Sequence, residues 1–337
     1  MDDPVSHDGC TGVNTKDNFV RDHVKVGILT KAIKNKKLLL FFFKIILFAG
    51  VIYLLCEQIS TLDADKLAII QVDFRYVGLV VLLMFVNWFF EYLKWEVVLR
   101  SSRVESPFRI RLRSFLSGIL TGFVTPNLLG NFVGRMLYFE PEKRPEIVSL
   151  TLLGNASQFI SSILFGILSL FWIGIPRLQE VNLIYIWGGA SIIFGVIFYL
   201  YLMLKKLPAF MKNLSWSVSF SRGLNTSMVT RLKLLVLSSC RYLVFSFQFV
   251  LLLHAFGVEI DWSAFGYVWQ VYLWSTLLPS LWFGKLLIRE SMALWVFSAY
   301  TENLEAVLLA SVCLWGINQG VTALVGLPFF QFKPERT

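Results

Sequence analysis

The sequence predicts an all-α membrane protein that crosses the bilayer several times. Hydrophobic residues make up 56% of its 337 residues, and charged residues only 16%. Several apolar runs reach the roughly 20 residues that an α-helix needs to cross about 30 Å of hydrocarbon. No stretch of ordinary globular composition exceeds about 40 residues, which is below the usual size of a domain. This composition excludes an enzyme with a soluble catalytic domain.

The charges between the apolar runs predict the side from which each span starts. Lysines precede the first predicted span, 38–56, which we interpret as an uncleaved anchor. Because basic loops stay in the cytoplasm, residues 1–37 are expected there as a disordered segment. The acidic stretch 57–75 is expected outside, and the second span, 76–99, returns the chain to the cytoplasm. Five arginines follow that span: Arg100, Arg103, Arg109, Arg111 and Arg113.

The next two spans form a hairpin that constrains the segment before it. They are predicted at 147–173 and 183–204, and the basic stretch 205–233 after them is cytoplasmic. If both outer ends of this hairpin lie inside, residues 114–139 must enter and leave the membrane from the cytoplasmic face. We therefore predict a re-entrant helical hairpin at 114–139.

The second half repeats this order with the opposite orientation. The fifth span, 234–256, runs outward, and the last span, 306–330, returns to a cytoplasmic tail at 331–337. Acidic residues flank 264–300 on both sides, so this segment is expected to re-enter from outside.

The predicted fold is therefore about six spanning helices plus two oppositely oriented re-entrant hairpins in an inverted repeat. The membrane domain covers 38–330, with halves at about 76–173 and 234–330. The alternative is eight spanning helices, in which 114–139 and 263–281 cross the membrane. That arrangement places one basic loop outside.

Each half contains a segment in which proline and glycine interrupt an apolar run near an arginine. Non-helical backbone at membrane depth is tolerated only where protein or a water-filled cavity satisfies it. Two such segments at corresponding positions indicate a transporter-like binding site. The residues are Pro126, Gly130, Gly134 and Arg135 in the first segment, and Pro279, Gly284 and Arg289 in the second.

The two arginines predict an anionic ligand, which we expect to be a lipid headgroup. Guanidinium groups present a two-pronged geometry that suits phosphate, and helix N-termini add free amide donors. Alternatively, both arginines snorkel to the surface or pair with carboxylates. A central arginine costs about 2.5–3.5 kcal/mol on insertion scales, which favours a function. Glu91 and Glu290 are expected to balance charge or carry a proton.

A polar stripe on the second span supports this prediction. Asn87, Glu91 and Lys94 fall at i, i+4 and i+7, on one face of a helix that is expected to point into the bundle. Lys94 can instead anchor at the cytoplasmic interface.

Polar residues on the third and fifth spans complete the candidate site. Arg241 and Gln248 lie seven residues apart and are predicted to share an inward face, with snorkelling as the alternative for Arg241. Gln158 and Asn155 are expected to hydrogen-bond between helices.

No cofactor or metal ion is expected. The three histidines have no ligand spacing, and the four cysteines are scattered without pairs. No zinc-protease pattern, phosphate loop or nucleophile elbow occurs, so catalytic residues are not predicted.

These motifs together resemble the flippase-like membrane region of the lysylphosphatidylglycerol synthase family. The similarity covers about 38–330. It rests on Asn87-Trp88, Glu91, Lys94-Trp95, Thr125-Pro126-Asn127, Gly130, Gly134-Arg135, Gln158, Leu278-Pro279 and Arg289. Many members carry a basic residue and an acid around the first motif, where this chain has Leu128 and Asn131. The glycine-rich second motif is reduced to Gly284 beside Lys285.

The resemblance implies a multi-pass protein of a bacterial-type inner membrane that takes part in lipid translocation. Bifunctional members attach lysine to phosphatidylglycerol with a separate soluble domain, so lysyl transfer is not expected here. The expected function is translocation of a lipid or lipid-linked headgroup, with a phospholipid or lipid-linked substrate as partner. The alternatives are a non-transporting partner of a separate lipid- or glycan-modifying enzyme, and an assembly scaffold.

Overall fold

A computed structural model describes residues 53, 60, 70–125, 129–175, 183–204, 217–278 and 284–329. All regular structure within these residues is helical. Pro126, Leu128, Pro279 and nearly all of the first predicted span lie outside them.

The helices occur in the order long, short, short, long, and this order appears twice. The first set is α1 Phe74–Ser101, α2 Phe108–Val124, α3 Gly130–Met136 and α4 Arg144–Ile173. Then come α5 Leu183–Met203 and the short α6 Ser217–Leu224. The second set is α7 Met228–Ala255, α8 Ser263–Leu277, α9 Gly284–Phe297 and α10 Leu304–Trp315. A π-helical turn (Gly316–Val321), α11 Thr322–Gly326 and a 3-10 turn (Leu327–Phe329) extend α10.

Four of these helical stretches are long and apolar enough to cross a bilayer. They are α1, α4, α7 and the continuous stretch Leu304–Phe329. The apolar helix α5 lies where the fourth span was predicted. The structure thus confirms an all-α, multi-pass membrane protein.

Local sequence signals set the ends of the long helices. The Asp73 carboxylate caps α1 by accepting a hydrogen bond from the Arg75 amide at 3.0 Å. The Ser227 hydroxyl does the same for α7, accepting from the Thr230 amide at 3.2 Å. Gly257 follows α7 with a φ of 83°, a left-handed conformation that glycine adopts without a Cβ clash. The π-helical turn in the last span was not predicted.

Helices α1 and α7 pack against each other and run antiparallel. The Asp73 amide donates to the Ala255 carbonyl at 3.0 Å, and the Gln248 amide donates to the Val80 carbonyl at 2.9 Å. Residue numbers rise along α1 as they fall along α7. Helix α1 is the first helix of the first set, and α7 is the first helix of the second. The two sets therefore begin in opposite directions.

The first short helix of each set packs against the last long helix of the other set. Gly166 on α4 and Leu273 on α8 are in close contact, and the Gln270 amide of α8 donates to the Gly174 carbonyl after α4. In the other direction, the Phe123 ring on α2 lies 5.7 Å from the Trp315 ring. The two sets are therefore interlocked.

Each pair of short helices begins and ends at the same end of the long helices. The Tyr300 hydroxyl, after α9, lies 3.0 Å from the Asp261 amide, before α8. After α3, the Phe139 ring lies 6.4 Å from the Trp95 ring, near the C-terminal end of α1 from which α2 departs. The pair α2/α3 thus joins the long helices at the C-terminal end of α1, and the pair α8/α9 at the C-terminal end of α7.

Helix α1 has an apolar outer face and a polar inner face. The outward side chains Leu82, Phe85 and Phe89 are 63%, 53% and 56% exposed. Asn87 and Lys94, on the other face, are 3% and 2% exposed. This distribution is expected where the surrounding solvent is hydrocarbon and polar groups need partners inside the bundle.

Candidate functional site

The polar centre of the structure is a single carboxylate that holds three cations. Glu91 Oε2 lies 2.9 Å from Lys94 Nζ and 3.1 Å from Arg241 Nη1, and Glu91 Oε1 lies 3.0 Å from Arg135 Nη2. The four residues, which we call the Glu91 cluster, come from α1, α3 and α7. Segments far apart in sequence thus converge on one point.

Two neutral amides from the predicted set orient these cations. Asn87 Oδ1 accepts from Arg241 Nε at 2.8 Å. Gln158 Oε1 accepts from Lys94 Nζ at 3.2 Å and from Arg241 Nη1 at 3.3 Å. Gln158 therefore links α4 to both α1 and α7, as expected for an interhelical hydrogen-bonding group. No hydrogen bond of the Asn155 side chain is described.

The Glu91 cluster carries a formal excess of two positive charges. Among the described residues, Glu91 is the one carboxylate within ion-pair distance of its three cations. The side chains of Lys94 and Arg135 are 3% and 4% exposed, and that of Arg241 is 28% exposed. Uncompensated buried charge is costly, so such a site attracts an anion.

Two cations whose placement the sequence left open have partners within the bundle. The Lys94 ammonium group is buried against Glu91. The Arg241 guanidinium group is bound by Glu91, Asn87 and Gln158.

Aromatic rings and a glycine enclose Arg135. Its guanidinium carbon lies 4.7 Å from the centre of the Trp95 ring and 5.9 Å from that of Phe115. These distances permit cation–π attraction. A Cβ on Gly118 would lie 2.6 Å from Arg135 Cγ and 2.7 Å from Asn131 Oδ1. Gly118 was not among the predicted site residues, because its importance depends on Arg135 and Asn131 of the facing helix.

Two polar atoms beside Gly118 lack partners among the described residues. Arg135 Nε and Asn131 Oδ1 are both buried without a hydrogen bond. Arg135 therefore keeps an unused donor although its Nη2 binds Glu91.

Gly130 and Gly134 place Arg135 rather than line an open cavity. A Cβ on either residue would overlap Thr121 of α2. Thr121 Oγ1 donates to the Gly130 carbonyl at 2.6 Å, and Thr125 Oγ1 accepts from the Gly130 amide at 2.6 Å. We expected both glycines to contact a headgroup. In this structure α2 covers them, and they allow α3 to lie close against it.

The second predicted arginine lies in a separate polar cluster. Arg289 pairs with its neighbour Glu290, and its Nη2 donates to the Ser311 carbonyl at 3.2 Å. Glu290 Oε2 and the Tyr272 hydroxyl are buried without partners among the described residues. No described contact joins Arg289 to the Glu91 cluster. That both arginines hold one headgroup between them stays a prediction. Gly284 starts the helix that carries this pair.

Gln248 is buried with partners different from those of Arg241. Its amide nitrogen donates to the Val80 carbonyl, and its Oε1 accepts from Asn318 Nδ2 at 3.2 Å. Asn318 lies in the π-helical turn, whose wider backbone spacing accompanies this contact. Gln248 thus joins α1, α7 and the last span instead of extending the Glu91 cluster.

The comparisons with known proteins point to one family. A sequence model described as "Lysylphosphatidylglycerol synthase TM region" matches residues 41–326, nearly the whole chain. No curated protein matches the chain. Within the described residues, no three histidine, cysteine or acidic side chains are grouped to hold a metal ion.

Proposed function

Because this chain belongs to the lysylphosphatidylglycerol synthase transmembrane-region family, we propose that it moves an anionic lipid headgroup, or the headgroup of a lipid-linked substrate, between membrane leaflets. One observation carries the proposal: among the described residues, Glu91 alone balances three cations, of which Lys94 and Arg135 are buried. A site with this charge binds a phosphate-containing headgroup in preference to water or a neutral sugar.

The geometry of the cations suits phosphate. Arg135 and Arg241 have planar guanidinium groups that donate two parallel hydrogen bonds to an oxyanion, and Lys94 adds a point charge. A phosphodiester brings one negative charge and a phosphomonoester up to two. Either reduces the formal excess of two positive charges, so binding lowers the cost of burying the cluster.

The membrane arrangement in this proposal has about six spans and two re-entrant hairpins. Helices α2, α8 and α9 have 17, 15 and 14 residues, and α3 has seven. Each is shorter than the roughly 20 residues of a spanning helix, which favours hairpins over the eight-span alternative. The antiparallel α1 and α7 support an inverted repeat. Both termini would lie in the cytoplasm of a bacterial-type inner membrane.

Alternating access about this repeat would carry the headgroup across. In folds built from inverted repeats, one repeat rocks against the other around a site near the midplane. The Glu91 cluster would have this position, because Asn87 and Arg241 stand at the middle of α1 and α7. Glu91 balances charge while the site is empty of substrate, and Glu290 does the same for Arg289. A separate lipid-modifying enzyme is the proposed partner that supplies or uses the lipid.

Leaflet exchange in liposomes tests the proposal. The purified full chain is reconstituted with fluorescent phosphatidylglycerol, and a membrane-impermeant quencher reports the outer-leaflet fraction over time. We expect exchange above that of protein-free vesicles, and we expect Arg135→Gln to abolish it. Arg75→Gln is the matched control, because Arg75 pairs with Asp73 on the surface with 89% of its side chain exposed.

Two results would contradict the proposal. The first is the absence of exchange by the folded wild-type chain with every anionic lipid tried. The second is equal exchange by wild type and Arg135→Gln. Binding of anionic lipid without exchange would instead favour a subunit that presents lipid to another enzyme.

A further inference from the structure

A cavity of about 290 Å³ lies beside α1, and Asn87, Glu91 and Lys94 do not line it. We call it the α1–α2 pocket. Its walls come from α1 between Tyr92 and Arg100, and from Phe108 and Arg111 at the start of α2. It lies near the C-terminal end of α1, beside the arginine-rich loop. No predicted site residue lines it.

One end of the pocket is cationic. Glu96, 7% exposed, accepts from Arg111 Nε at 2.6 Å and from Arg100 Nε at 3.3 Å, and the Tyr92 hydroxyl also donates to it. Two arginines thus face one carboxylate. The Arg100 side chain is 79% exposed, so its charge is available to a ligand at the surface. This end suits a phosphodiester.

The other end of the pocket continues into an apolar stripe. Leu82, Phe85, Phe89 and Leu93 fall at i, i+3, i+7 and i+11, on one side of α1. From Leu82 to Leu93 the stripe is about 16 Å long at 1.5 Å per residue. Half of a 30 Å hydrocarbon core is about 15 Å. The length of the stripe therefore matches an acyl chain in one leaflet. A soluble phosphate compound has no acyl chain and would not contact the stripe.

A single aromatic layer separates the pocket from the Glu91 cluster. The rings of Tyr92 and Phe115 have centroids 5.5 Å apart, and Phe115 lies 5.9 Å from the Arg135 guanidinium carbon. Phe115 is 2% exposed. The Phe115 ring thus lies within 6 Å of both Tyr92, which lines the pocket, and the Arg135 guanidinium carbon.

We propose that the α1–α2 pocket binds a phospholipid with an anionic headgroup and is the docking site from which that headgroup passes Phe115 to the Glu91 cluster. The inference deepens the proposed function and rests on it. The headgroup contacts Arg100 and Arg111, and an acyl chain lies along the stripe from Leu82 to Leu93.

Photo-crosslinking tests the docking site. The full chain is reconstituted in phosphatidylcholine vesicles with a trace of phosphatidylglycerol that carries a diazirine in one acyl chain, and labelled peptides are mapped by mass spectrometry. Labelling is expected in 82–97, above that by the same probe with a choline headgroup. Arg111→Gln is expected to reduce it about tenfold, since a contact to a charged group contributes that much or more.

Arg109→Gln is the matched control. Arg109 is an exposed arginine on the same helix turn and does not line the pocket. Equal loss of labelling in Arg109→Gln and Arg111→Gln would overturn the inference. The anionic lipid would then be attracted by the basic surface as a whole and not by the pocket. Leu93→Trp fills the pocket without changing charge, and it should also reduce labelling. A thermal melt establishes that each variant is folded.

The two proposals fail in different ways. If the wild-type chain exchanges lipid but both headgroups label 82–97 equally, the docking site is wrong and translocation stands. If the phosphatidylglycerol probe labels 82–97 selectively but no exchange occurs, the pocket binds lipid and translocation is wrong.

Discussion

Replacing Glu91 by glutamine tests whether the Glu91 cluster attracts an external anion. The substitution keeps the shape of the side chain and removes the one negative charge. Lys94, Arg135 and Arg241 then lie together without a counter-ion. Because Lys94 and Arg135 are almost fully buried, solvent screens their repulsion poorly.

The size of the effect follows from the number of broken pairs. Removing one partner of a buried ion pair costs about 3–5 kcal/mol. Three pairs share Glu91, and the partly exposed Arg241 relaxes toward water, so we expect a loss near the upper end of that range. At about 2.1 cal/mol/K per residue, the unfolding entropy of the 337-residue chain is about 0.7 kcal/mol/K, so the melting temperature should fall by roughly 6–7 °C.

Added phosphate should restore much of this loss. An anion in the vacated position stabilises the folded state, by about 2.7 kcal/mol at 100 times its Kd. The measurement is intrinsic tryptophan fluorescence during heating in detergent, with increasing inorganic phosphate and with chloride at equal ionic strength. Phosphate should raise the melting temperature of Glu91→Gln more than that of the wild type.

A surface carboxylate provides the control. Glu140 pairs with Lys143 at 3.0 Å, and their side chains are 67% and 45% exposed. Such pairs contribute about 0–1 kcal/mol, so Glu140→Gln should melt close to the wild type and show no phosphate response. If Glu91→Gln melts like Glu140→Gln, the cluster is not held by its charges. If phosphate stabilises Glu91→Gln no more than chloride does, the site does not select oxyanions.

Two further predictions concern packing and pH. Gly134→Val should place its side chain into Thr121 and cost at least about 1–3 kcal/mol, whereas Gly188→Val, where a Cβ meets open space, should cost far less; thermal melts of both variants compare them. Hydrogen bonds from Ser263 hold the pKa of Asp261 below its usual value, so its small stabilising effect is present above about pH 4 and is lost as the pH falls further. Asp261→Asn should therefore reduce the dependence of the melting temperature on pH below pH 4. An unchanged pH dependence would contradict a stabilising role of the Asp261 carboxylate.

Helix periodicity was sufficient to find the centre of the site. Asn87, Glu91 and Lys94 share a face by spacing alone, and this face is buried in the structure. The partners of Glu91 were harder to find because Arg135 and Arg241 lie on other helices. Their meeting depends on how α3 and α7 pack against α1, which local sequence does not determine. The ion-pair partner of Arg289 was ambiguous for a similar reason. From the sequence alone, it could pair with its neighbour Glu290 or with an acidic residue on another helix.

Backbone features with no side-chain pattern were missed. Gly118 matters because a Cβ at this position would collide with Arg135 and Asn131. The π-helical turn at Gly316–Val321 has no strong composition signal, although it brings Asn318 to Gln248. Both depend on the neighbouring helix, so sequence periodicity in one helix cannot reveal them.

The difference between the two arginine clusters indicates where the proposed substrate binds. Arg289 pairs with Glu290, which leaves that pair formally neutral. Arg135 shares Glu91 with two other cations and leaves an excess of two charges. In the inverted repeat that we propose, the two positions would be equivalent, so this asymmetry would come from the side chains. Since a buried net charge persists only where something compensates it, the first cluster is the one that needs an external anion. Neutralising Arg289 together with Glu290 should therefore reduce leaflet exchange less than neutralising Arg135 alone.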